Sequence, residues 1–130
     1  MSYKSDVAYT IRFVDDHDTR NKHMFFTFLA EAKSDPLCVL AMGEVTVDAA
    51  NFRINFKCMD TQWYPSFLDV SSHMALWRKA QEWALGDEGE DIAGIYAETC
   101  YDNNVPSVYE TLGEPDTEWL GIRREIICDW

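Results

Sequence analysis

The segment that most constrains this chain is residues 71–85, SSHMALWRKAQEWAL, which predicts one long amphipathic helix. Its apolar side chains recur at helical spacing and share one face: Met74, Leu76, Trp77, Ala80, Trp83 and Ala84. The two serines at its start can cap the first turn, and Gly86 suits its C-terminal end. We expect the tryptophans of this face to pack in a core.

Runs rich in β-branched and aromatic residues lie on both sides of this helix. Residues 7–14, 37–47 and 52–64 precede it and residues 92–101 follow it. Their composition predicts strands, and turn signals separate the first runs from one another. Residues 24–33, MFFTFLAEAK, fit either a helix or a strand, and the run–turn–run succession favours a strand.

Two further elements are predicted after the 92–101 strand. Residues 103–113, NNVPSVYETLG, predict a short helix, because either asparagine can cap it, the proline suits its first turn and the glycine can take a left-handed C-terminal position. Residues 118–128, EWLGIRREIIC, predict a closing strand. Together these elements predict an α+β fold in a single domain spanning residues 1–130.

Composition narrows the classes of function. No apolar run reaches the roughly 18 residues that a membrane span needs, and the N-terminus lacks the features of a signal peptide, so we expect a cytoplasmic protein without membrane contacts. The four cysteines include no C-x-x-C pair, and the three histidines form no ligand pair with them, so we expect no metal site.

The net charge of −12 excludes one class of partner and suggests another. There is no basic residue between Lys79 and Arg123, whereas acidic residues recur throughout that stretch. Such a surface repels nucleic acid, so we expect no nucleic-acid partner. Two interpretations of the acidic surface stay open: it keeps the protein soluble, or it docks on a basic partner.

Three stretches, in this order, resemble the GNAT superfamily of acyl-CoA-dependent acyltransferases. They are FLAEAKSDPLCVLAMGEV at 28–45, WYPSFLDVSSHMAL at 63–76, and NNVPSVYETLG at 103–113. The resemblance implies a mostly antiparallel mixed sheet with one long helix and one short C-terminal helix. In the family two helices separate the first two strands, and here only the polar stretch DDHDTRNKH at 15–23 stands in their place.

The resemblance also implies site residues for an enzyme. Tyr109 stands where many family members carry the general acid that protonates the leaving thiolate. Asp60, on the sheet, is the candidate base. Ser71, Ser72 and Asn104 are the candidate contacts to acetyl-CoA, because the family binds the CoA pyrophosphate at the N-terminus of its long helix.

The cofactor loop departs from the family pattern. Glycines normally bring the backbone close to the pyrophosphate, whereas this chain has Leu68, Asp69, Ser71 and His73 there. We therefore expect no cofactor, and a degenerate member that acts through protein–protein contacts as a structural or interaction protein. Compact members of this kind resemble small proteins of tailed bacteriophages, which implies a virion-associated pseudoenzyme.

The partner would be a second copy of the chain, or a phage or host protein. The alternative function is an acetyl-CoA-dependent N-acetyltransferase. A weaker alternative is an acidic inhibitor that mimics nucleic acid.

Overall fold

The computed structural model describes residues 5–14, 18–64, 66–86, 92–100 and 106–113. In chain order these residues form β1 (Ser5–Phe13), α1 (Asp18–Ser34), α2 (Val39–Met42), β2 (Thr46–Asp48), β3 (Arg53–Thr61), α3 (Leu68–Leu85), β4 (Ile92–Cys100) and β5 (Pro106–Leu112). The predicted α+β class is confirmed. No helix within the described ranges combines the length and apolarity that crossing a membrane requires.

The five strands form one sheet in the order β2-β3-β1-β4-β5, and every described pair of neighbours is antiparallel. Because β3 and β4 both run antiparallel to β1, they are parallel to each other, and α3 connects them. Likewise β1 and β2 flank β3, and α1 and α2 connect them. The topology is therefore two interleaved split β-α-β units with β1 at the centre and β5 as an added edge strand. The sheet was predicted to be mixed and mostly antiparallel, whereas all neighbouring strands among the described residues are antiparallel.

Both long helices cover the same face of the sheet. In β1 the alternate residues Val7, Tyr9, Ile11 and Phe13 point to that face and are buried. Phe13 contacts Phe25 and Phe28 of α1 and Trp83 of α3 through its ring. Tyr9 contacts Trp77 of α3 in the same way. The hydrophobic core thus lies between β1 and the two helices.

The opposite face of the central strands is also buried. Ala8 and Thr10 of β1, and Ile95 and Ala97 of β4, have no exposed surface. Thr10 donates its hydroxyl to Asn55 Oδ1 at 2.8 Å and accepts from Arg53 Nε at 2.7 Å. β1 and β4 are therefore enclosed on both faces, which explains why their apolar residues are not confined to alternate positions.

The predicted strand at 24–33 is wrong, because α1 occupies Asp18–Ser34. Its buried apolar residues follow a helical period rather than an alternation: Met24, Phe25, Phe28, Leu29 and Ala32. The polar stretch before them supplies the first turns of α1 and not a long loop. The predicted absence of helices between the first two strands is therefore also wrong.

Residues 37–47 were predicted as a strand, and only their end is one. Cys38 and Ala41 are buried three residues apart, as one face of the short helix α2 requires. β2 begins at Thr46 and has three residues, whereas β3 matches the predicted 52–64 strand at Arg53–Thr61. The helix predicted at 71–85 is confirmed as α3, which begins three residues earlier.

The short C-terminal helix that was predicted at 103–113 is wrong, because residues 106–112 form β5. Val108, Glu110 and Leu112 alternate towards the α3 side of the sheet, and pairing with β4 satisfies the β5 backbone groups that face it. Gly113 does adopt a left-handed φ of 58°, but it ends a strand. A Cβ atom there would lie 2.3 Å from the carbonyl oxygen of Ile92. The strand predicted at 118–128 lies outside the described residues.

Truncating Trp77 is expected to destabilise the fold strongly. Trp77 is only 4% exposed, and its ring packs on Tyr9 and Tyr96 and against Gly94. We expect Trp77→Ala to lower the free energy of unfolding by about 3–5 kcal/mol, as large core truncations do. The neighbouring, exposed Arg78 provides the control, and Arg78→Ala should change it by no more than about 0.5 kcal/mol. Urea unfolding measures both, and a loss below about 1 kcal/mol for Trp77→Ala would contradict this packing.

Candidate functional site

The predicted catalytic pair does not come together. Tyr109 lies on β5, half exposed, and pairs with Ala97 on the sheet face that points away from α3. Asp60 lies in β3, and its side chain is outside the described part of the chain. β1 and β4 separate those two strands, so their backbones are at least about 14 Å apart at the usual strand spacing. An acid and a base that act on one substrate need to be much closer.

The predicted cofactor contacts have separate environments. Ser71 is exposed, whereas Ser72 is buried and accepts a hydrogen bond from the backbone N–H of Ala41 at 2.9 Å. Ser72 therefore attaches α2 to α3. Asn104 lies outside the described residues.

The N-terminus of α3 carries its own carboxylate. Asp69, in the first turn, accepts the Val70 N–H at 2.9 Å through Oδ1. A carboxylate at this position is stabilised by the positive end of the helix dipole. An incoming pyrophosphate would meet that negative charge and would have to displace it from the backbone.

A chain of three polar side chains runs from the centre of the sheet to the surface. The hydroxyl of Tyr9 lies 2.6 Å from His73 Nδ1, and His73 Nε2 lies 3.1 Å from Glu44 Oε1. The Glu44 carboxylate only accepts, so neutral His73 carries its proton on Nε2, and Tyr9 donates to Nδ1. This arrangement satisfies every polar atom of the two buried rings.

Burial determines how the two inner groups ionise. Desolvation raises the pKa of Tyr9 well above its ordinary value, and the nearby Tyr96 and Glu44 raise it further. Desolvation lowers the pKa of His73, although the hydrogen bond to Glu44 opposes this shift. Both groups are therefore neutral near pH 7. Tyr9 has no exposed surface, so its hydroxyl serves to hold His73, and His73 in turn fixes the position of Glu44.

Sequence reasoning missed this chain of contacts. It placed His73 in the cofactor loop and treated residues 7–14 only as a strand. The apolar surroundings of Tyr9 and His73 in the sequence give no sign that these two side chains meet, since β1 and α3 are distant along the chain.

Exposed apolar side chains lie on and near α2, the short helix that precedes Glu44. Leu37 is 69% exposed, and Val39 and Leu40 of α2 are about half exposed. Leu68 is 78% exposed and lies one helical turn before Ser72, on the side of α3 that contacts α2. Phe67, also exposed, precedes it. We call these five side chains the α2 surface.

Carboxylates border the α2 surface on two sides. Glu44 follows α2 directly and keeps 45% of its side chain exposed while it binds His73. Asp69 follows Leu68 and is also exposed. Asp35 precedes Leu37 and forms an ion pair with Lys79 at 3.3 Å. An apolar centre with a charged rim is the usual composition of a protein-binding surface.

Comparisons with known proteins do not assign this arrangement. No family model, no curated protein and no solved structure matches the chain. The GNAT resemblance therefore stays a prediction. In two of the stretches on which it depends, 28–45 and the described residues 106–113, the fold differs from what was predicted. Within the described ranges, no group of three or more His, Cys, Asp or Glu side chains is placed to hold a metal ion.

Acidification is expected to destabilise the protein through His73. Because burial lowers the pKa of His73 below its ordinary 6.5, the unfolded chain binds a proton at pH values where the folded chain does not. The stability that depends on neutral His73 is complete above about pH 6.5 and is lost as the pH falls towards the lowered, folded-state pKa. Unfolding in urea at about pH 7 and about pH 5 should therefore show a smaller difference for His73→Gln than for the wild type.

The exposed His23 provides the matched control for this measurement, and His23→Gln should retain the wild-type difference. Equal pH dependence in the wild type and in His73→Gln would contradict the role given to the buried imidazole.

Proposed function

We propose that this chain is an acidic protein-interaction module that binds a basic partner through the α2 surface. The main observation behind the proposal is that α2 exposes the side chains of Val39 and Leu40, and that Leu37 and Leu68 are also exposed. At the same time, a hydrogen bond to Ser72 holds the backbone of α2 against α3. Single exposed leucines are ordinary on protein surfaces, whereas several exposed apolar residues within one short segment, with carboxylates beside them, are typical of a binding site.

The anchoring of α2 favours binding. Ser72 accepts the N–H of Ala41, and His73 binds Glu44, so two successive residues of α3 fix α2 near its C-terminal end and Glu44 just after it. A four-residue helix is not stable by itself. Because the attachments order it in advance, little conformational entropy remains to be lost when a partner binds.

Charge identifies the kind of partner. The chain carries a net charge of −12, and Glu44 and Asp69 border the apolar centre. A second copy of the chain would bring the same carboxylates to the interface and be repelled. A partner with apolar side chains flanked by lysines or arginines fits both the centre and the rim.

The enzyme alternative has less support. Asp69 occupies a backbone N–H where the GNAT family would bind pyrophosphate, and Ser72 is engaged with α2. Tyr109 and Asp60 lie on strands that are not neighbours. A GNAT-like chain with an eroded cofactor loop, of the kind that some phages encode, remains our proposal for its origin and rests on the sequence resemblance alone.

The α2 surface is expected to bind a short helical peptide with leucines along one face and lysines along the other. NMR titration should show saturable changes centred on the amides of Val39, Leu40 and Leu68, and binding should weaken as salt is added. Leu40→Ser should weaken binding by about tenfold, as loss of a central interface side chain does.

Leu85 is the control for that substitution, because it is 89% exposed at the other end of α3. Leu85→Ser should bind the peptide as the wild type does. A peptide with glutamines in place of the lysines should bind more weakly. Changes spread over the whole surface, or a wild-type dimer that Leu40→Ser dissociates, would contradict a basic partner at this place.

Acetyl-CoA is expected not to bind. Leu68 and Asp69 block close approach of the backbone, and the helix dipole contributes only about 0.3–1 kcal/mol. The lost charge-assisted hydrogen bonds are worth roughly 1.5–3 kcal/mol each, and every 1.4 kcal/mol is about a tenfold change in affinity. Calorimetric titration at low salt tests this. Saturable binding tighter than about 100 μM (about −5.5 kcal/mol) would contradict the interaction role and favour the enzyme.

A further inference from the structure

A second concave site lies between α3 and the β4–β5 hairpin, away from α2. Its volume is about 260 Å³. Met74 and Trp77 of α3 and Val108 of β5 form its apolar part. Glu98 of β4 and Glu110 of β5 contribute carboxylates to the same space. A narrow apolar site with a charged end matches a ligand that has an aliphatic chain and a cationic head.

The strand register sets the separation of the two carboxylates. Glu98 pairs with Val108, and Glu110 pairs with Tyr96, so the glutamates are diagonal neighbours on the face that α3 covers. Diagonal neighbours have Cβ atoms roughly 7–8 Å apart. One ammonium group placed between them can donate to both carboxylates at ordinary hydrogen-bond lengths.

One of these carboxylates is held in place by α3. Glu110 Oε2 accepts the indole N–H of Trp77 at 2.7 Å, and Gln81 Nε2 approaches the same oxygen at 3.4 Å. Trp77 is buried, so its indole fixes the direction of the carboxylate. Both contacts involve Oε2, so neither of them occupies the second oxygen of Glu110.

The other carboxylate, Glu98, forms no ion pair with any described residue. Glu98 is partly buried, and this burial raises its pKa; the hydrogen bond with Tyr96 opposes the shift, and the charge of Glu110 adds to it. Arg78 lines the same site, but in the described part of the chain it forms no ion pair with either glutamate. Two like charges that face a partly desolvated space, with no ion pair to either of them among the described residues, favour a cation between them.

We propose that this site binds a primary ammonium group on an aliphatic chain. The ammonium lies between Glu98 and Glu110, and the methylenes lie over Met74 and Val108. The head is positively charged and the chain apolar, so neither a neutral alcohol nor a carboxylate of the same length satisfies the site. This site is independent of the α2 surface and would persist if the role proposed for that surface failed.

The test is an NMR titration of the full chain with n-pentylammonium chloride, read at the tryptophan indole N–H resonances. The Trp77 resonance, assigned with a Trp77→Phe variant, should shift and saturate, since this N–H binds Glu110. Trp83 is an internal control, because its indole donates to Glu31 at 3.0 Å outside this site. Its resonance should not move.

Substitutions separate the site from a general charge effect. Glu98→Gln should weaken the binding of n-pentylammonium by at least about tenfold, and Glu31→Gln should leave its affinity unchanged. Arg78→Gln should tighten binding, since it removes a competing cation from the rim. Equal shifts with n-pentanol, shifts that do not saturate, or an unchanged affinity in Glu98→Gln would overturn the proposal.

A second ligand distinguishes the two sources of such a group. The blocked amino acid N-acetyl-lysine methylamide should bind if the site takes a lysine side chain of a protein. If n-pentylammonium binds and the lysine derivative does not, the site takes a free alkylamine.

Discussion

The structure depends on the contacts of one side chain, the phenol of Tyr9. It lies on the central strand, stacks on Tyr96 of β4 at 5.8 Å between ring centroids, and contacts Phe56 of β3 at 5.4 Å. It also reaches Trp77 and His73 of α3. Burial of a phenol requires a partner for its hydroxyl, and His73 provides one. Tyr9 therefore links the central strands to α3 and, through His73, to the exposed Glu44.

The sequence predicts the parts of this fold in which hydrophobic period and composition agree. α3, β1, β3 and β4 each have one clear period or a dense β-branched run, and each was predicted within a few residues. The strand predicted at residues 24–33 is wrong because consecutive phenylalanines fit both the helical period and the strand period of apolar residues. The polar turns before them are what distinguish a helix there, since they supply its exposed first turns.

The short helix predicted in place of β5 is wrong for a different reason. Pro106 and Gly113 fit the ends of a short helix, and only pairing with β4 decides in favour of a strand. That pairing is a tertiary contact, which local propensity does not contain. The same limit applies to the sites. Glu98 and Glu110 come together through strand register, and Tyr9 meets His73 through the packing of α3, so neither pair has a sequence signature.

The α2 surface and the proposed ammonium site are organised by α3 in the same way. In each, α3 supplies side chains that hold a neighbouring element in place: Ser72 and His73 for α2, and Trp77 for the β5 carboxylate of Glu110. Each of these side chains is buried, and each group it holds is left partly open. At the α2 surface, binding would therefore depend on Ser72 and His73, two buried residues that the partner does not touch, and substituting either would affect binding from outside the interface.

The interleaved strand order also has a consequence for how the chain reaches its native state. Thr10 of β1 pairs on one side with Asn55 and on the other with Ile95, so β1 must wait for β4, far along the chain, before both of its edges are paired. Such distant pairings carry a high loop-closure cost and slow the folding of small domains. During translation β1 would remain half paired until β4 leaves the ribosome, and its second edge would be open to wrong partners over that interval.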